Sequence, residues 1–414
     1  MSKEPGIYNL NMGFEGDLGL NEKPMAYGYL NGDSNNDIVT MSTGAKKELY
    51  IYTYDKDLFK FVRSNTVPLA AIGSNTVMSV ILTDIDYDNK VDLVVTCINN
   101  DNSLNSTIYV FSKIGNDYVA NNDYMIQNIR KQQPVVFTMY DNNKNSAVYT
   151  TYLLVQGNTD NVRACYYIDR NDNNKMTHRP FSELLNTKDT THCLSQSNVD
   201  GFTLNPYLGS SFVDMNADCR PDLLLNSLGD GAQKQQEIYL YTNDGFCLVN
   251  VQSMPSQITM PSFLDLNNRG TNDMAFITQV NGNTNNIRVN VLRNKYTTDV
   301  NKGVLCTQNQ INLENPYPGL KDIMQQNKGS DEWRYSYDLE TNKYLYQDPE
   351  NMATPPLALL GDLDLDGIMD LVLVETTENE NNRSQARVVA YKGIKCSEDT
   401  AKIIFGKEVY TAEL

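Results

Sequence analysis

A nine-residue acidic loop that recurs along the chain is the feature that most constrains the fold. Its fullest copy runs from Asp362 to Asp370, with aspartates at positions 1, 3, 5 and 9 and with Gly367 where a left-handed turn is needed. Apolar residues typical of strands lie on both sides, which excludes the helical EF-hand. Oxygen ligands at alternate positions suit Ca²⁺. We therefore expect calcium to be bound by the side chains of Asp362, Asp364, Asp366 and Asp370 and by the backbone carbonyl of Ile368.

Two other copies keep enough oxygen ligands to bind calcium. The loop Asp84–Asp92 has all four carboxylates, and the loop Asp214–Asp222 has an asparagine at position 3. In both loops the backbone carbonyl at position 7 completes the expected ligand set. Because affinity follows the number of charged ligands, we expect the loops with four carboxylates to bind calcium more tightly. The expected ligands are Asp84, Asp86, Asp88, Lys90 and Asp92 in the first loop and Asp214, Asn216, Asp218, Arg220 and Asp222 in the second.

Three copies of the loop are weaker. The first, Tyr29–Asp37, has a tyrosine in place of the first ligand. The loop Asp141–Tyr149 ends on tyrosine, and we expect it to have lost the metal. In the loop Asp265–Asp273, Arg269 stands at position 5, where we expect its guanidinium to replace the ion through charge-assisted hydrogen bonds.

The spacing of the loops predicts a β-propeller. Their ninth positions fall at residues 37, 92, 149, 222, 273 and 370, in steps of 55, 57, 73, 51 and 97. A repeat of about 50 to 60 residues that holds several strands is the size of a propeller blade. Segments that alternate apolar and polar residues follow the loops, and no comparable segment keeps a helical period. We therefore predict an all-β fold in which residues 1–414 form one β-propeller domain.

The longest step requires an insertion, which we place at about residues 311–350. Two aromatic segments around Trp333 and Tyr344 flank a short polar turn, and this pattern predicts a β-hairpin. The insertion is either a partner-binding surface, since aromatic residues dominate interfaces, or a set of outer strands of an enlarged blade.

The net charge of −17 argues against nucleic acid or an anionic membrane as a partner. The chain has no apolar run long enough to span a membrane, and its first residues lack the apolar stretch of a signal peptide, so a secreted form would be a trimmed one. Seven cysteines without a CxxC pair are either buried thiols or form one to three disulfides in an oxidising compartment. Sequons at Asn105 and Asn382 permit glycosylation.

The loops and their flanking strands resemble the FG-GAP (VCBS-type) repeats of integrin α-subunit heads. Their order is similar to that of the T-cell immunomodulatory protein (LINKIN) family, through Tyr27-Gly-Tyr-Leu-Asn-Gly-Asp, Ser79-Val-Ile-Leu-Thr-Asp-Ile-Asp and the late Leu360-Gly-Asp-Leu-Asp. The resemblance implies a seven-bladed, calcium-binding ectodomain of a single-pass surface glycoprotein with a C-terminal anchor. Only six motifs occur here, so we expect the seventh blade to come from elsewhere. The candidates are a C-terminal portion beyond these residues, which we favour, then a partner chain, and the N-terminal Gly6–Met12.

A binding or adhesion scaffold that mediates protein–protein interaction in an extracellular or secretory-pathway setting is the function that we favour. The alternatives are a propeller hydrolase or lyase with an axial active site, and a structural subunit of a larger complex. Only His178 and His192 could serve as neutral-pH bases, and no nucleophile elbow, HExxH or P-loop motif occurs. We therefore expect no enzymatic activity.

Overall fold

The structure is a computed structural model. It describes residues 22–413 apart from 34, 43–47, 59, 101–104, 142–147, 159–161, 171, 200, 207, 256–257, 266–270, 281–285, 297–312, 324–332, 342, 347–357, 362–367, 377–386 and 397–398.

The prediction of an all-β propeller is confirmed. The described residues form six antiparallel sheets of four or five strands, which are the blades of a six-bladed β-propeller. The resemblance implies seven blades, but the described residues form six, each built from one consecutive stretch of the chain. The chain divides into two compact units, Met1–Arg179 and Pro180–Leu414, with three blades in each.

The first unit contains blades 1, 2 and 3, which each have four strands. Blade 1 consists of β1 (Glu22–Gly28), β2 (Asp37–Ser42), β3 (Glu48–Asp55) and β4 (Lys60–Pro68). Blade 2 consists of β5 (Thr76–Thr83), β6 (Asp92–Ile98), β7 (Asn105–Ile114) and β8 (Asp117–Arg130). Blade 3 consists of β9 (Val135–Asp141), β10 (Val148–Gln156), β11 (Arg163–Asp169) and β12 (Lys175–Pro180).

The second unit contains blades 4, 5 and 6. Blade 4 consists of β13 (Thr203–Leu204), β14 (Ser211–Val213), β15 (Asp222–Leu228), β16 (Lys234–Thr242) and β17 (Gly245–Ser253). Blade 5 consists of β18 (Ser262–Leu264), β19 (Asp273–Val280), β20 (Asn286–Leu292) and β21 (Arg334–Thr341). Blade 6 consists of β22 (Tyr344–Leu345), β23 (Ala358–Gly361), β24 (Asp370–Thr376), β25 (Arg387–Cys396) and β26 (Asp399–Glu413). Short 3₁₀ helices span Ala70–Ile72, Phe181–Leu184, Gln196–Asn198, Asp230–Ala232 and Pro318–Asp322.

The strand that follows an acidic loop is the most buried strand of its blade. In β6, β15 and β19 every residue except the last is buried, which matches the apolar runs after the loops. Within each unit these strands contribute to hydrophobic clusters that lie between consecutive blades. Val95 packs between blades 1 and 2, Leu153 between blades 2 and 3, Phe276 between blades 4 and 5, and Leu373 between blades 5 and 6. The loops are thus attached to the best-packed part of each blade.

The prediction of a β-hairpin from the aromatic segments around Trp333 and Tyr344 is wrong. The segment after Trp333 forms β21, which pairs with β20 as the outer strand of blade 5, whereas Tyr344 and Leu345 form β22, which pairs with β24 of blade 6. The two segments separate because each finds a ladder partner in a different sheet. The alternative of additional outer strands therefore describes β21 better than a projecting hairpin does.

Two features bear on the setting of the protein. Cys193 and Cys247 form a disulfide, Cys219 is also disulfide-bonded, and Cys97 and Cys165 are buried free thiols. No helix among the described residues is long and apolar enough to cross a membrane.

Candidate metal centre

The loops Asp84–Asp92 and Asp214–Asp222 have the same backbone course, the first between β5 and β6 and the second between β14 and β15. Positions 4 and 6 of each loop are left-handed, with φ near 62° at Tyr87 (63°) and Asn89 (62°) and at Ala217 (61°) and Cys219 (64°). Asn89 and Cys219 stand at position 6, where Gly367 of the loop Asp362–Asp370 indicates a left-handed turn, but the sequence did not predict a left-handed residue at position 4. The signal that could have revealed it is Gly32, which stands at position 4 of the first loop with φ 82°.

In the loop Asp84–Asp92, carboxylate oxygens accept hydrogen bonds from the loop's own backbone. Asp84 Oδ2 accepts from the N–H of Asn89 at 3.0 Å, and Asp86 Oδ1 accepts from the N–H of Asp88 at 3.2 Å. Asp88 Oδ1 accepts from the N–H of Lys90 at 2.9 Å. These bonds turn the side chains at positions 1, 3 and 5 inward, which brings one ligand oxygen of each within 4.8 Å of the others.

The loop Asp214–Asp222 repeats these bonds. Asp214 Oδ2 accepts from the N–H of Cys219 at 2.8 Å, Asn216 Oδ1 from the N–H of Asp218 at 3.1 Å, and Asp218 Oδ1 from the N–H of Arg220 at 2.9 Å. The asparagine at position 3 thus takes the place of a carboxylate without changing the loop. Convergence of ligand oxygens is seen for Asp84, Asp86 and Asp88 of the first of these two loops, and metal binding by the full predicted ligand sets stays a prediction.

The position-1 aspartates each leave one buried oxygen without a partner. Asp84 Oδ1 and Asp214 Oδ1 are buried and accept no hydrogen bond of ordinary geometry from a described residue, although the nearby backbone N–H groups of Asn216, Ala217 and Asp218 act to lower the pKa of Asp214. A buried carboxylate oxygen is seldom left unpaired, because desolvating it is costly. Two equivalent oxygens in two separate blades therefore fit a cation at the centre of each loop. In the first loop the corresponding residue is Tyr29, whose side chain is exposed, so that loop lacks this feature.

Burial and mutual repulsion act on the other carboxylates of these loops. The pKa of Asp86 is raised by burial and then by the carboxylate of Asp88, and burial raises the pKa values of Asp214 and Asp218. The ammonium of Lys90 lies 2.7 Å from Asp88 Oδ2 at the exposed side of the loop. Negative charge is therefore concentrated and only partly compensated where the sequence predicts calcium.

The position-9 aspartates have a structural role that the sequence reasoning missed. Asp92 accepts from the N–H of Ile85 at 3.2 Å through Oδ2 and from the N–H of Lys113 at 3.1 Å through Oδ1. Asp222 accepts in the same way from Met215 and Tyr241, both at 2.8 Å. These carboxylates join the loop to the strand that pairs with the one after the loop, which is β7 in blade 2 and β16 in blade 4. A second lone pair on each oxygen still allows a metal contact.

The same fastening occurs in loops that are weaker or not fully described. Asp37 accepts from Tyr54 N–H, Asp273 from Asn294 N–H and Asp370 from Gly393 N–H. The position-9 aspartate is thus needed for the blade whether or not the loop holds a metal. Burial also raises the pKa values of two of these aspartates. Burial and then the Asp86 carboxylate raise the pKa of Asp92 to about 7, and burial raises the pKa of Asp222 well above its usual range.

The following blade supports each loop. Asn294 Nδ2 donates to the carbonyl of Met215 at 2.7 Å, and Asn272 Nδ2 donates to the carbonyl of Asp214 at 2.9 Å. Lys113 Nζ donates to the carbonyl of Leu30 in the first loop. Like Lys113, Asn294 lies 21 residues after the position-9 aspartate to which its own N–H donates. This spacing is a sequence signal that could have identified both residues.

Several predicted residues lie outside the described part of the chain. They are Asp362, Asp364, Asp366, Arg269 and most of the loop Asp141–Tyr149. Of the predicted ligands in the loop Asp362–Asp370, Ile368 and Asp370 are described. The sequon residue Asn105 begins β7 and is half-buried, and Asn382 lies outside the description, so glycosylation stays a prediction.

Neither histidine contributes to a described cluster of catalytic groups. His178 stacks on Tyr166 with ring centroids 5.0 Å apart, and His192 lies exposed with Nδ1 2.9 Å from Asp189 Oδ2. Every described aspartate with a raised pKa, Asp37 included, belongs to one of the acidic loops.

No protein-family model matches the chain, and no curated protein matches it. The crystal structure of AofleA from Arthrobotrys oligospora is similar at 10% identity, covering 94% of this chain and 88% of that chain, with a TM-score of 0.37. That likeness carries no argument about function. The fold and the loops themselves define the class: a β-propeller whose blades carry acidic loops.

Proposed function

We propose that this chain is a calcium-stabilised β-propeller that serves as a binding scaffold. The observation that carries the proposal is the pair of buried, unpartnered oxygens, Asp84 Oδ1 and Asp214 Oδ1, at equivalent positions of two loops. Each lies in a loop whose other carboxylates are turned inward by backbone hydrogen bonds.

Calcium suits this donor set better than other metals do. The groups that converge are carboxylate and amide oxygens, and hard oxygen ligands in an irregular loop favour Ca²⁺ over metals that prefer nitrogen or sulfur. The one cysteine in these two loops, Cys219, is disulfide-bonded and supplies no thiolate. Calcium bound to the native loops adds its binding free energy to the stability of the blades.

The proposal extends to family, setting and role. The repeated loops support membership of the FG-GAP type, with the LINKIN-like adhesion or recognition ectodomain as the particular form. The Cys193–Cys247 disulfide supports an extracellular or secretory-pathway setting, where disulfides persist. A protein partner is the expected ligand of such a scaffold, since propellers present large surfaces built from loops.

The state of Asp92 supports the proposal of a non-catalytic role. Asp92, the described carboxylate with a pKa of about 7, has both oxygens occupied by backbone N–H donors and lies buried under its loop. A general acid or base must reach its substrate. This carboxylate is therefore committed to the structure of its blade.

Metal analysis of the purified chain tests the proposal. After removal of metals with EDTA and dialysis against about 1 mM calcium, a range that covers extracellular calcium modules, we expect calcium to bind at each intact loop. Asp84→Ala and Asp214→Ala should each remove one ion, and Asp55→Ala, at the end of β3 outside the acidic loops, should remove none. A chain that retains no calcium, or one from which neither loop variant removes an ion, would contradict the proposal.

A further inference from the structure

A polar cleft of about 400 Å³ lies at one end of blade 2. It is formed where β5 begins, where β6 ends, in the first half of β7 and near the end of β8. The acidic loop Asp84–Asp92 joins the end of β5 to the start of β6. Because the strands are antiparallel, the cleft lies at the opposite end of the blade from the acidic loop, and it is independent of the proposed metal site.

The cleft is polar but carries no charge among its described lining residues. Charged residues make up 21% of the chain, yet this cleft offers only amides, hydroxyls and one phenol. Its volume lies within the usual range for small-molecule sites. Its lining includes the side chains of Asn75, Asn99, Thr107, Tyr109, Gln127 and Asn128.

Several of these groups keep unused hydrogen-bonding capacity. The Tyr109 hydroxyl accepts from Asn75 Nδ2 at 3.2 Å, which leaves its own proton to donate. Asn99 Oδ1 accepts from Thr107 Oγ1 at 3.0 Å, and its Nδ2 makes no hydrogen bond with the described residues. The side-chain amide of Asn128 also makes none there, while its backbone carbonyl accepts from Asn158 N–H at 3.3 Å. The cleft therefore offers both donors and acceptors.

Asn128 has a left-handed backbone inside a strand. Its φ is 58°, in the left-handed region, although it lies inside the long strand β8. The pairing of β7 with β8 shifts register here, since Ser106 pairs with Ile129 but Ile108 pairs with Ile126. This bulge takes Gln127 and Asn128 out of the ladder. A left-handed non-glycine residue costs about 1 kcal/mol, and such bulges occur where a side chain is redirected toward a site.

We propose that this cleft binds a neutral carbohydrate of one or two sugar units. Sugar hydroxyls both donate and accept hydrogen bonds, which matches the Tyr109 proton, the Asn99 amide and the Asn128 amide. Tyr109 is half-buried, with its side chain packed against the hydrophobic cluster between blades 1 and 2, so its hydroxyl is the group that it offers to a sugar. Without a charged side chain in the described lining, the cleft has nothing to pair with a carboxylate, sulfate or ammonium, so charged ligands are disfavoured.

Ligand-observed saturation-transfer NMR on the full chain tests this inference. The probes are glucose, galactose, mannose and N-acetylglucosamine, with glucuronic acid as the charged counterpart, each at up to about 10 mM, since single sugars bind weakly. We expect at least one neutral sugar, and not glucuronic acid, to receive saturation. The result should be the same in calcium and in EDTA as long as the chain stays folded, which separates this inference from the calcium proposal.

Two variants assign the binding to the cleft. Asn128→Gly removes the amide and relieves the left-handed backbone, so the fold should be at least as stable while binding weakens about two- to tenfold, the effect of one lost hydrogen bond. Tyr109→Phe should weaken binding to a similar extent. Asn173→Gly is the matched control, because Asn173 also has a positive φ (52°) but lies in the turn between β11 and β12.

Three outcomes would overturn the inference. They are the absence of binding by every neutral sugar, equal binding of glucuronic acid, and binding that Asn128→Gly and Tyr109→Phe leave unchanged. Saturation of a short neutral peptide in place of the sugars would likewise overturn it, because an amide-lined cleft can also hold a peptide backbone.

Discussion

Replacing Asp84 with asparagine should raise the stability of the metal-free protein and nearly abolish the stabilisation that calcium provides at its loop. The asparagine oxygen can still accept the hydrogen bond from Asn89 N–H, and the new amide takes the place of the unpartnered oxygen and donates toward Asp86 or Asp88. The change therefore removes one negative charge without removing the loop's backbone contact.

The magnitude in EDTA follows from the geometry of the three carboxylates. Their ligand oxygens lie within 4.8 Å of one another. At that separation a pair of like charges near a water-like dielectric repels by about 1 kcal/mol. Asp84 takes part in two such pairs, so Asp84→Asn should raise the free energy of unfolding in EDTA by about 2 kcal/mol.

In calcium, Asp84→Asn also removes stability, because it weakens calcium binding to the loop. At about 1 mM calcium, a site with a Kd of about 10 µM adds about 2.7 kcal/mol to the free energy of unfolding. A site weakened about a hundredfold by loss of a carboxylate adds only about 0.4 kcal/mol. The variant and the native chain should then be about equally stable in calcium, although they differ in EDTA.

Urea unfolding followed by circular dichroism, in EDTA and in calcium, measures both effects. Asp214→Asn is the matched variant: its position-3 neighbour, Asn216, is neutral, so its gain in EDTA should be about half as large, about 1 kcal/mol. If Asp84→Asn lowers the stability in EDTA, or keeps the full calcium-dependent increase, Asp84 is a hydrogen-bond acceptor rather than a metal ligand.

Three other expectations concern the blades themselves. Asp222→Asn should lower the free energy of unfolding by about 2 to 3 kcal/mol in EDTA as well as in calcium, because an amide can satisfy only one of the two backbone N–H donors; equal stability would show that these bonds are dispensable. The pKa of Asp92 is raised to about 7, so in EDTA the stability contributed by its protonated form should be lost as the pH rises from about 4 through about 7, whereas calcium should suppress this loss; a flat urea midpoint between about pH 5 and 8 in EDTA would contradict it. Replacing both Cys193 and Cys247 with serine opens a link between residues 54 apart, which should cost up to about 4 kcal/mol by chain entropy, independently of calcium, in thermal unfolding with the native chain as reference.

The blades could be predicted from the sequence because two signals coincide in them. The acidic loops recur at blade-sized steps, and each is followed by an apolar run that becomes a buried strand such as β6 or β15. The spacing could not show how many blades the chain forms. The seven-bladed expectation came from the resemblance, whereas the described residues form six sheets with local strands alone.

Other features depend on contacts that local sequence does not reveal. The hairpin around Trp333 was wrong because its two segments pair with β20 and β24, and the choice of ladder partner is set by tertiary packing. The left-handed Tyr87 carries no turn signal; its hydroxyl accepts from Thr151 N–H of blade 3 at 2.5 Å, and Arg170 lies 3.7 Å over its ring. The neighbouring blade thus holds a conformation that tyrosine alone does not favour.

The position-9 aspartates show why a motif can be located correctly and still be interpreted incompletely. Their spacing in the loop indicates a metal ligand. Their burial and their hydrogen bonds to the strand that pairs with the one after the loop appear only when the whole blade is assembled. Asp37 makes these bonds in a loop that lacks the first ligand, so the blade requires this residue independently of calcium.

The location of bound calcium is the most direct test of the central claim. Crystals of the full chain grown with calcium, measured at a wavelength where calcium scatters anomalously, would show the ion and its ligands. We expect peaks in the loops Asp84–Asp92 and Asp214–Asp222, with Asp84 Oδ1 and Asp214 Oδ1 at about 2.3 to 2.6 Å from the ion. Loops that hold only water, with these two oxygens hydrogen-bonded to it, would contradict the claim that calcium stabilises the blades.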